Sequence, residues 1–370
     1  MIKKILIWTF FCIVLITTPI RAEEVIEIDD FDLSDSGAAL QKGGYEELDY
    51  KEIIGKITEG EIIEVIREMG KVLYNKTFGD ISLVEKTIGN LLLIIIMSAF
   101  FTNFANVFSG DNVSDTGFYI CYLVAITIMV TLFDSFCILT EEFVKLLLEF
   151  MGGLIPAYFL SVALMGQASA TGFYQLTLVI IGVSEFVFLK VIIPLIKIYM
   201  AVSLVNNVSQ EDLLSRTTHV IGNLIKFVNK SLLGIVTGLN IIQGLILPAV
   251  DGAKNTTIRK VVGALPVIGD GTDAMTGIVL GSANLIKNSI GTFGIVVIIL
   301  LCLVPFLKIQ LYSVSMQVVT AVIQPVADKR MINSLGCLCT GTKLLTRVII
   351  SNAMLFIISI AIICMATNIR

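Results

Sequence analysis

The sequence predicts an all-α, polytopic membrane protein with six or seven spans, some of them broken or re-entrant, and a small N-terminal helical region outside the bilayer. Three observations carry that prediction. Of 370 residues, 56% are hydrophobic and 15% charged, against about 25% charged in an ordinary soluble domain. The mean hydropathy is +0.90, and apolar runs of roughly 20 residues, the length a helix needs to cross the hydrocarbon layer, recur to the C-terminus. Charge is also divided along the chain. Glu23 to Asn90 carries 17 acidic and 7 basic residues, a net −10, whereas Leu91 onward carries 13 acidic and 16 basic, a net +3. A soluble enzyme of common type is excluded, and no basic stripe with interleaved aromatics supports nucleic-acid binding.

The chain opens with Lys3-Lys4, an apolar stretch from Ile5 to Ile20 and Arg21-Ala22 before a run of acids. That pattern predicts a signal peptide over 1–22, or else an uncleaved first span, and either version carries the acidic segment after it to the outer face. Residues 23–88 form the expected acidic extracytoplasmic region, and 89–370 the multi-span membrane domain. Glu23 to Gly44 is acidic and poor in aromatics, which predicts a flexible leader. From Thr58, apolar residues Ile62, Val65, Ile66, Met69, Val72 and Leu73 recur at helical spacing, and Thr58-x-x-Glu61 reads as a capping box. This amphipathic helix needs something to cover its apolar face, because alone in water it is marginal.

Ser82-x-x-Glu85 predicts a second capping box, opening the helix that enters the span Leu91 to Phe108. Further spans are expected at Phe118 to Leu139, Leu154 to Gly166, Leu176 to Lys197, Leu232 to Val250, Ile290 to Ile309 and Leu345 to Met365. The segment near Leu154 is short, and Pro156 and Pro194 interrupt apolar stretches, which is why broken or re-entrant helices are expected. Arg259-Lys260 and Lys329-Arg330 fall on opposite sides in an alternating count, so the loops assign no orientation.

Candidates for chemistry are few. His219 is the one histidine, beside Arg216, Thr217 and Thr218 on what reads as a solvated face, so no hydrolytic triad can be assembled. Cys337 and Cys339 lack the second pair or the histidines that zinc requires, and the other cysteines of the mature chain lie in apolar runs. Gly341-Thr342-Lys343 lacks the hydroxyl after lysine that a phosphate loop needs, and Gly269 to Asp273 lacks the remaining ligands of a calcium loop. No cofactor, metal or catalytic residue is expected, and the protein is read as a non-enzyme.

Charges at membrane depth are costly, so Asp134, Glu149, Glu185, Lys190, Lys197, Lys308 and Arg347 stand out. Lys197 and Lys308 read as interfacial anchors. Glu185 sits mid-run with Lys190 five residues on, near enough for a pair, and Asp134 offers a second acid. Glu149 is the only other such acid in a neighbouring span, and an alternative reading, an independent ion- or proton-coupled secondary transporter, would use Glu185 and Lys190. The most ordered signal is uncharged: Gln310, Ser313, Gln317, Thr320 and Gln324 succeed one another at spacings of three, four, three and four on one helix face, opposite Leu311, Val314, Val318, Val322 and Ile323. Weaker stripes are Ser98, Thr102, Asn106, Ser109 and Thr237, Asn240, Gly244. These stripes read either as helix packing, helped by Gly234-x-x-x-Gly238 and Gly277-x-x-x-Gly281, or as the wall of a water-filled lumen in an oligomer.

Several stretches of the second half are similar to one known family. They are Pro194-Leu195-Ile196-Lys197, Gly244-Leu245-Ile246-Leu247-Pro248, Ile258-Arg259-Lys260-Val261-Val262-Gly263 continuing through Pro266 to Asp273, Gly277 to Gly294, Cys302-Leu303-Val304-Pro305-Phe306-Leu307-Lys308, and Gln324-Pro325-Val326-Ala327-Asp328-Lys329-Arg330. By these the chain resembles the stage III sporulation protein AE family of endospore-forming bacteria. The resemblance covers roughly half the length and contains no catalytic signature. It implies a place in the mother-cell membrane around the forespore, and partners among the other stage III sporulation A operon proteins, AA to AH, together with the forespore-side protein Q. It further implies a hetero-oligomeric, secretion-like channel or feeding tube that sustains late sigma-G-dependent transcription.

Overall fold

The computed structural model describes residues 31–45, 48–79, 81–108, 110–164, 170–208, 213–262 and 269–367, and all their regular structure is helical. Three short helices, α1 (Ser34–Lys42), α2 (Tyr50–Thr58) and α3 (Ile62–Phe78), precede the long ones. These are α4 (Ile81–Phe108), α5 (Gly110–Leu164), α6 (Ala170–Glu185) continuing through a π-helical segment Phe186–Ile192 into α7 (Ile193–Asn206), α8 (Ser215–Val262), α9 (Gly269–Ile323) and α10 (Lys329–Thr367). Five of the resulting rods are long and apolar enough to cross a membrane, and Ile88–Phe100 within α4 adds a shorter apolar stretch.

Side-chain pairs set the register of the bundle. Tyr122 and Ser334 share a hydrogen bond of 2.7 Å near the starts of α5 and α10, and Phe133 lies against Gly341 further along, so these two helices run parallel. Gln310 meets Thr346 and Asn288 meets Cys364, which makes α9 antiparallel to α10. Asn229 reaches Ser351 and Asn240 reaches Ser359, so α8 runs parallel to α10. The middle of the bundle is α10 with the apolar half of α9, where Ile290, Phe293, Val297, Ile298, Leu345, Ile349 and Phe356 are wholly buried.

Two expected spans, Phe118 to Leu139 and Leu154 to Gly166, fall on the single helix α5, whose described end is Leu164. The charged stretch Glu141-Glu142-Phe143-Val144-Lys145 between them contains good helix formers and no proline, so the backbone ladder continues through it. Pro156 is carried inside that helix. Pro194 acts differently. It has no N–H to give and its ring crowds the carbonyl four residues back, so the preceding turn widens and Ile193 N–H bonds to Phe188 O, five residues back.

The region expected to be a flexible leader is ordered from Phe31. Phe31, Leu33 and Leu40 are buried, Ser36 donates to Phe150 O, and Lys42 pairs with Glu149 at 3.1 Å. Gly153 allows this approach, since a Cβ there would stand 2.5 Å from Ser36 N. The expected capping box at Thr58 is not formed. Thr58 ends α2, and its hydroxyl bonds Ile54 O and Ser289 on α9 instead. The packing of α2 against the bundle uses that hydroxyl before the next helix can. α3 is amphipathic as expected: Val65, Met69 and Val72 are buried against the bundle, while Ile66 is exposed. Residues 1–30, the expected signal peptide included, lie outside the described residues, as do the side chains of Ser82 and Glu85.

Electrostatics fasten this N-terminal region. Lys56 bridges Glu52 at 2.6 Å and Glu68 at 2.8 Å, joining α2 to α3, and these hydrogen bonds push its pKa up. Lys76 donates to Gly43 O and sits 3.7 Å from the centre of the Tyr45 ring. Burial, then the charge of Lys308, lowers the Lys76 pKa. Gly44, at φ 72°, makes the tight turn that brings Gly43 and Tyr45 to Lys76.

Candidate functional site

The polar stripe of α9 lies on the border between its buried and exposed faces. Ser313 is buried, Gln310 and Thr320 are half-buried, and Gln317 and Gln324 are exposed. Gln310 Nε2 donates to Thr346 Oγ1 on α10 at 3.2 Å, and Gln317 Nε2 donates back to Ser313 Oγ at 3.3 Å. The Thr320 hydroxyl returns to Met316 O. The neighbouring face, with Leu311, Val314, Val318 and Val322, is exposed and apolar, as a lipid-facing surface must be. Ile323, placed on that apolar face by the sequence, is buried. Gln324 comes just after the helix in the turn toward Asp328, which accepts from Arg330 N–H and guanidinium, and that guanidinium sits 3.7 Å over the Phe118 ring. The Gln324-Pro325 to Arg330 stretch is therefore a helix stop, a cap and a tie to α5.

The other stripes divide. Asn240 Nδ2 donates to Ser359 Oγ at 2.7 Å, Asn229 Nδ2 to Ser351 Oγ at 2.8 Å, and Ile362 packs against Gly244. These amide and hydroxyl pairs join α8 to α10, each worth about 0.6 to 2 kcal/mol inside a membrane bundle. Ser98 is buried, whereas the side chains of Thr102 and Asn106 and all of Ser109 lie outside the described residues. Around Gly234, Gly238 and Gly281 no neighbour among the described residues comes within 4 Å of where a Cβ would be, and the surroundings of Gly277 lie outside the described residues. Close helix approach occurs at glycines that sequence spacing did not single out. A Cβ on Gly294 would meet Leu154 at 2.5 Å and Ile360 at 3.2 Å, and one on Gly341 would meet Phe133 at 2.7 Å.

Among the intramembrane charges, Asp134 is paired and the Glu185 and Lys190 side chains are not joined. Lys197 Nζ lies 3.2 Å from Asp134 Oδ1 and 3.1 Å from Glu141 Oε1. Asp134 and Glu141 are two helical turns apart on α5, so both carboxylates share one face, and Lys197 reaches from α7 between them. Glu185 and Lys190 flank and occupy the π-helical segment, both exposed, and no ion pair links them. Sequence reasoning missed Glu141 and Lys287. Lys287 is wholly buried on α9, beside Asn288, whose Oδ1 accepts from the Cys364 thiol. It stands just ahead of the expected span Ile290 to Ile309, so hydropathy does not mark it, yet burying a lysine at such a place is costly. Cys337 and Cys339 sit within the continuous helix α10, as does Gly341-Thr342-Lys343, so neither forms a loop.

A family model described as Stage III sporulation protein AE matches residues 48–367. The chain is also 22% identical over 330 residues to Stage III sporulation protein AE of Bacillus subtilis (strain 168), across 86% of this chain and 83% of that protein. No solved structure matches.

Proposed function

The chain belongs to the stage III sporulation protein AE family, and on that premise we propose that it is a non-enzymatic, multi-pass subunit of the channel complex between mother cell and forespore. In this reading it lies in the mother-cell membrane around the forespore, its N-terminal region faces the space between the two membranes, and it assembles with other stage III sporulation A operon proteins and the forespore-side protein Q. The observation that carries the reading is the layout of α9: a polar stripe set beside the apolar exposed face, with Gln317 and Gln324 still open to a neighbour. A subunit that contacts other subunits within the bilayer needs such a border, because amide side chains are tolerated there only against protein or water. Exposed Ile63, Ile66 and Tyr74 on α3 offer a second contact surface outside the bundle.

Deletion of the gene in its host, with heat-resistant spores, forespore size and late forespore transcription scored together, tests this. Collapse after engulfment with unaffected growth is the expected result, and normal spores would overturn it.

The Asp134, Lys197 and Glu141 cluster favours a second reading, an independent ion- or proton-coupled transporter, since charges at this depth commonly mark ion paths. Under it, Asp134→Asn abolishes coupled uptake in reconstituted vesicles while Gln317→Leu leaves uptake intact.

A further inference from the structure

Segments free of charged residues run side by side in the bundle. They are 150–164 on α5, 170–184 on α6, 231–250 on α8, 288–307 on α9 and 348–367 on α10. Contacts put them at one level: Leu154 and Ile360 flank Gly294, Asn240 bonds Ser359, and Thr177 lines the same small cavity as Ser359. Twenty residues, as in the α8 and α9 segments, make about 30 Å of helix, the thickness of the hydrocarbon layer, so the bilayer lies at this level.

The faces of the bundle differ at that level. α6 and α8 expose Leu178, Val179, Val183, Ile235, Leu239 and Ile242 and carry no charge there, as a lipid-facing surface must. Elsewhere at this level α1 packs on α5, and α2 and α3 pack on α9. The Thr58 hydroxyl bonds Ser289 at one end of the uncharged α9 segment, and Lys76 feels the charge of Lys308 at its other end. α3, which starts just after Thr58 and carries Lys76 in its last turn, therefore runs along the whole depth. Its outward residues include Glu64, Arg67 and Lys71, all exposed. α1 adds the Lys42–Glu149 pair at 3.1 Å, with the two side chains 69% and 51% exposed. Glu149 stands about 7.5 Å along α5 from Leu154, near the middle of the α9 segment. Exposed charges at such a depth are costly among acyl chains, so this face does not meet lipid.

We propose that α1–α3 sit at membrane depth and that their charged outward face, together with Glu149, walls a water-filled recess that neighbouring subunits close off from the lipid. Ile63, Ile66 and Tyr74, also exposed on α3, lie roughly 120 to 160° around the helix from Glu68, the residue tied to α2. That flank suits contact with a neighbouring subunit, while Glu64, Arg67 and Lys71 stay in water. The recess deepens the channel reading and rests on it for the identity of its far wall.

Thiol accessibility in membranes broken from sporulating cells, where the full chain keeps its partners, tests this. Labelling of single added cysteines by a water-soluble maleimide is measured above that of the parent chain. The reaction needs a thiolate, which forms in water and not among acyl chains. Glu64→Cys, Arg67→Cys and Lys71→Cys on α3 should label at least tenfold faster than Val179→Cys on α6 and Ile242→Cys on α8, and all five should label alike once denatured. Sites on α3 as slow as those on α6 and α8 overturn the recess, and sites on α6 and α8 as fast as those on α3 overturn its membrane depth. The spore count of the deletion strain separates this from the channel reading. Normal spores with the tenfold difference uphold the recess and remove the channel, whereas lost spores with uniform labelling uphold the channel and remove the recess.

Discussion

Gly294 on α9 and Leu154 on α5 approach so closely that a Cβ at 294 would lie 2.5 Å from Leu154 Cδ2, with Ile360 of α10 3.2 Å away on the other side. Three helices thus share one glycine. Gly294→Val has to push both neighbours aside in a filled core, and overpacking of this kind costs about 1 to 3 kcal/mol. A lower unfolding temperature in detergent is expected, whereas Gly234→Val, where a Cβ meets nothing within 4 Å among the described residues, leaves that temperature unchanged. If Gly234→Val nevertheless reduces recovery of the protein in its complex, the defect lies between subunits.

The Asp134, Lys197 and Glu141 cluster makes a prediction about sign. Lys197→Met leaves two carboxylates facing each other's field, so it should destabilise more than Asp134→Asn, which leaves one intact pair. Because the three side chains are 53%, 40% and 30% exposed, a double-mutant cycle between positions 134 and 197 should give a coupling of at most about 1 kcal/mol. A null cycle would show that the lysine has other partners in the bilayer.

Between α8 and α10, Asn240→Ala removes the donor to the buried Ser359 hydroxyl, and a loss of about 1 kcal/mol is expected. Asn240→Asp should be worse, since it buries a carboxylate where Asn240 is wholly unexposed. Unfolding in detergent distinguishes the two.

The N-terminal region carries two lysines with opposite pH signatures. Lys56 has its pKa raised by Glu52 and Glu68, so its contribution is fully present below the ordinary value of 10.5 and is lost as pH rises above it. Lys76 has its pKa lowered by burial, so its penalty is relieved as pH rises toward 10.5. Limited proteolysis at the Glu59-Gly60 turn with an alkaline-active protease should show faster cleavage above pH 10.5 in wild type. In Lys56→Gln cleavage is faster at neutral pH and loses that alkaline rise. A flat profile in both proteins would contradict the ion-pair account.

Much of the architecture was legible in the sequence because its physical signal is local. Each expected span, as far as its residues are described, lies on a helix, since twenty apolar residues in lipid must satisfy their backbone internally. The joining of Phe118 to Leu139 with Leu154 to Gly166 on α5 was not legible. A short charged stretch such as Glu141 to Lys145 reads equally as a loop or as a helix passing its neighbours' polar groups. Thr58 shows the same limit, because a hydroxyl that can cap the next helix can also bond Ser289, more than two hundred residues away.

Composition and periodicity by themselves determined that the chain is a helical membrane protein with an acidic front, and the motifs from Pro194 to Arg330 were enough to indicate its family. Tertiary structure alone decided which polar residues meet. It paired Lys197 with Asp134 and Glu141, set Asn240 on Ser359, buried Lys287, and left Gly234 open while closing Gly294 against Leu154. Periodicity places a residue on a face of its own helix. What stands opposite that face depends on the tilt and register of other helices, which are settled by the packing of the whole bundle.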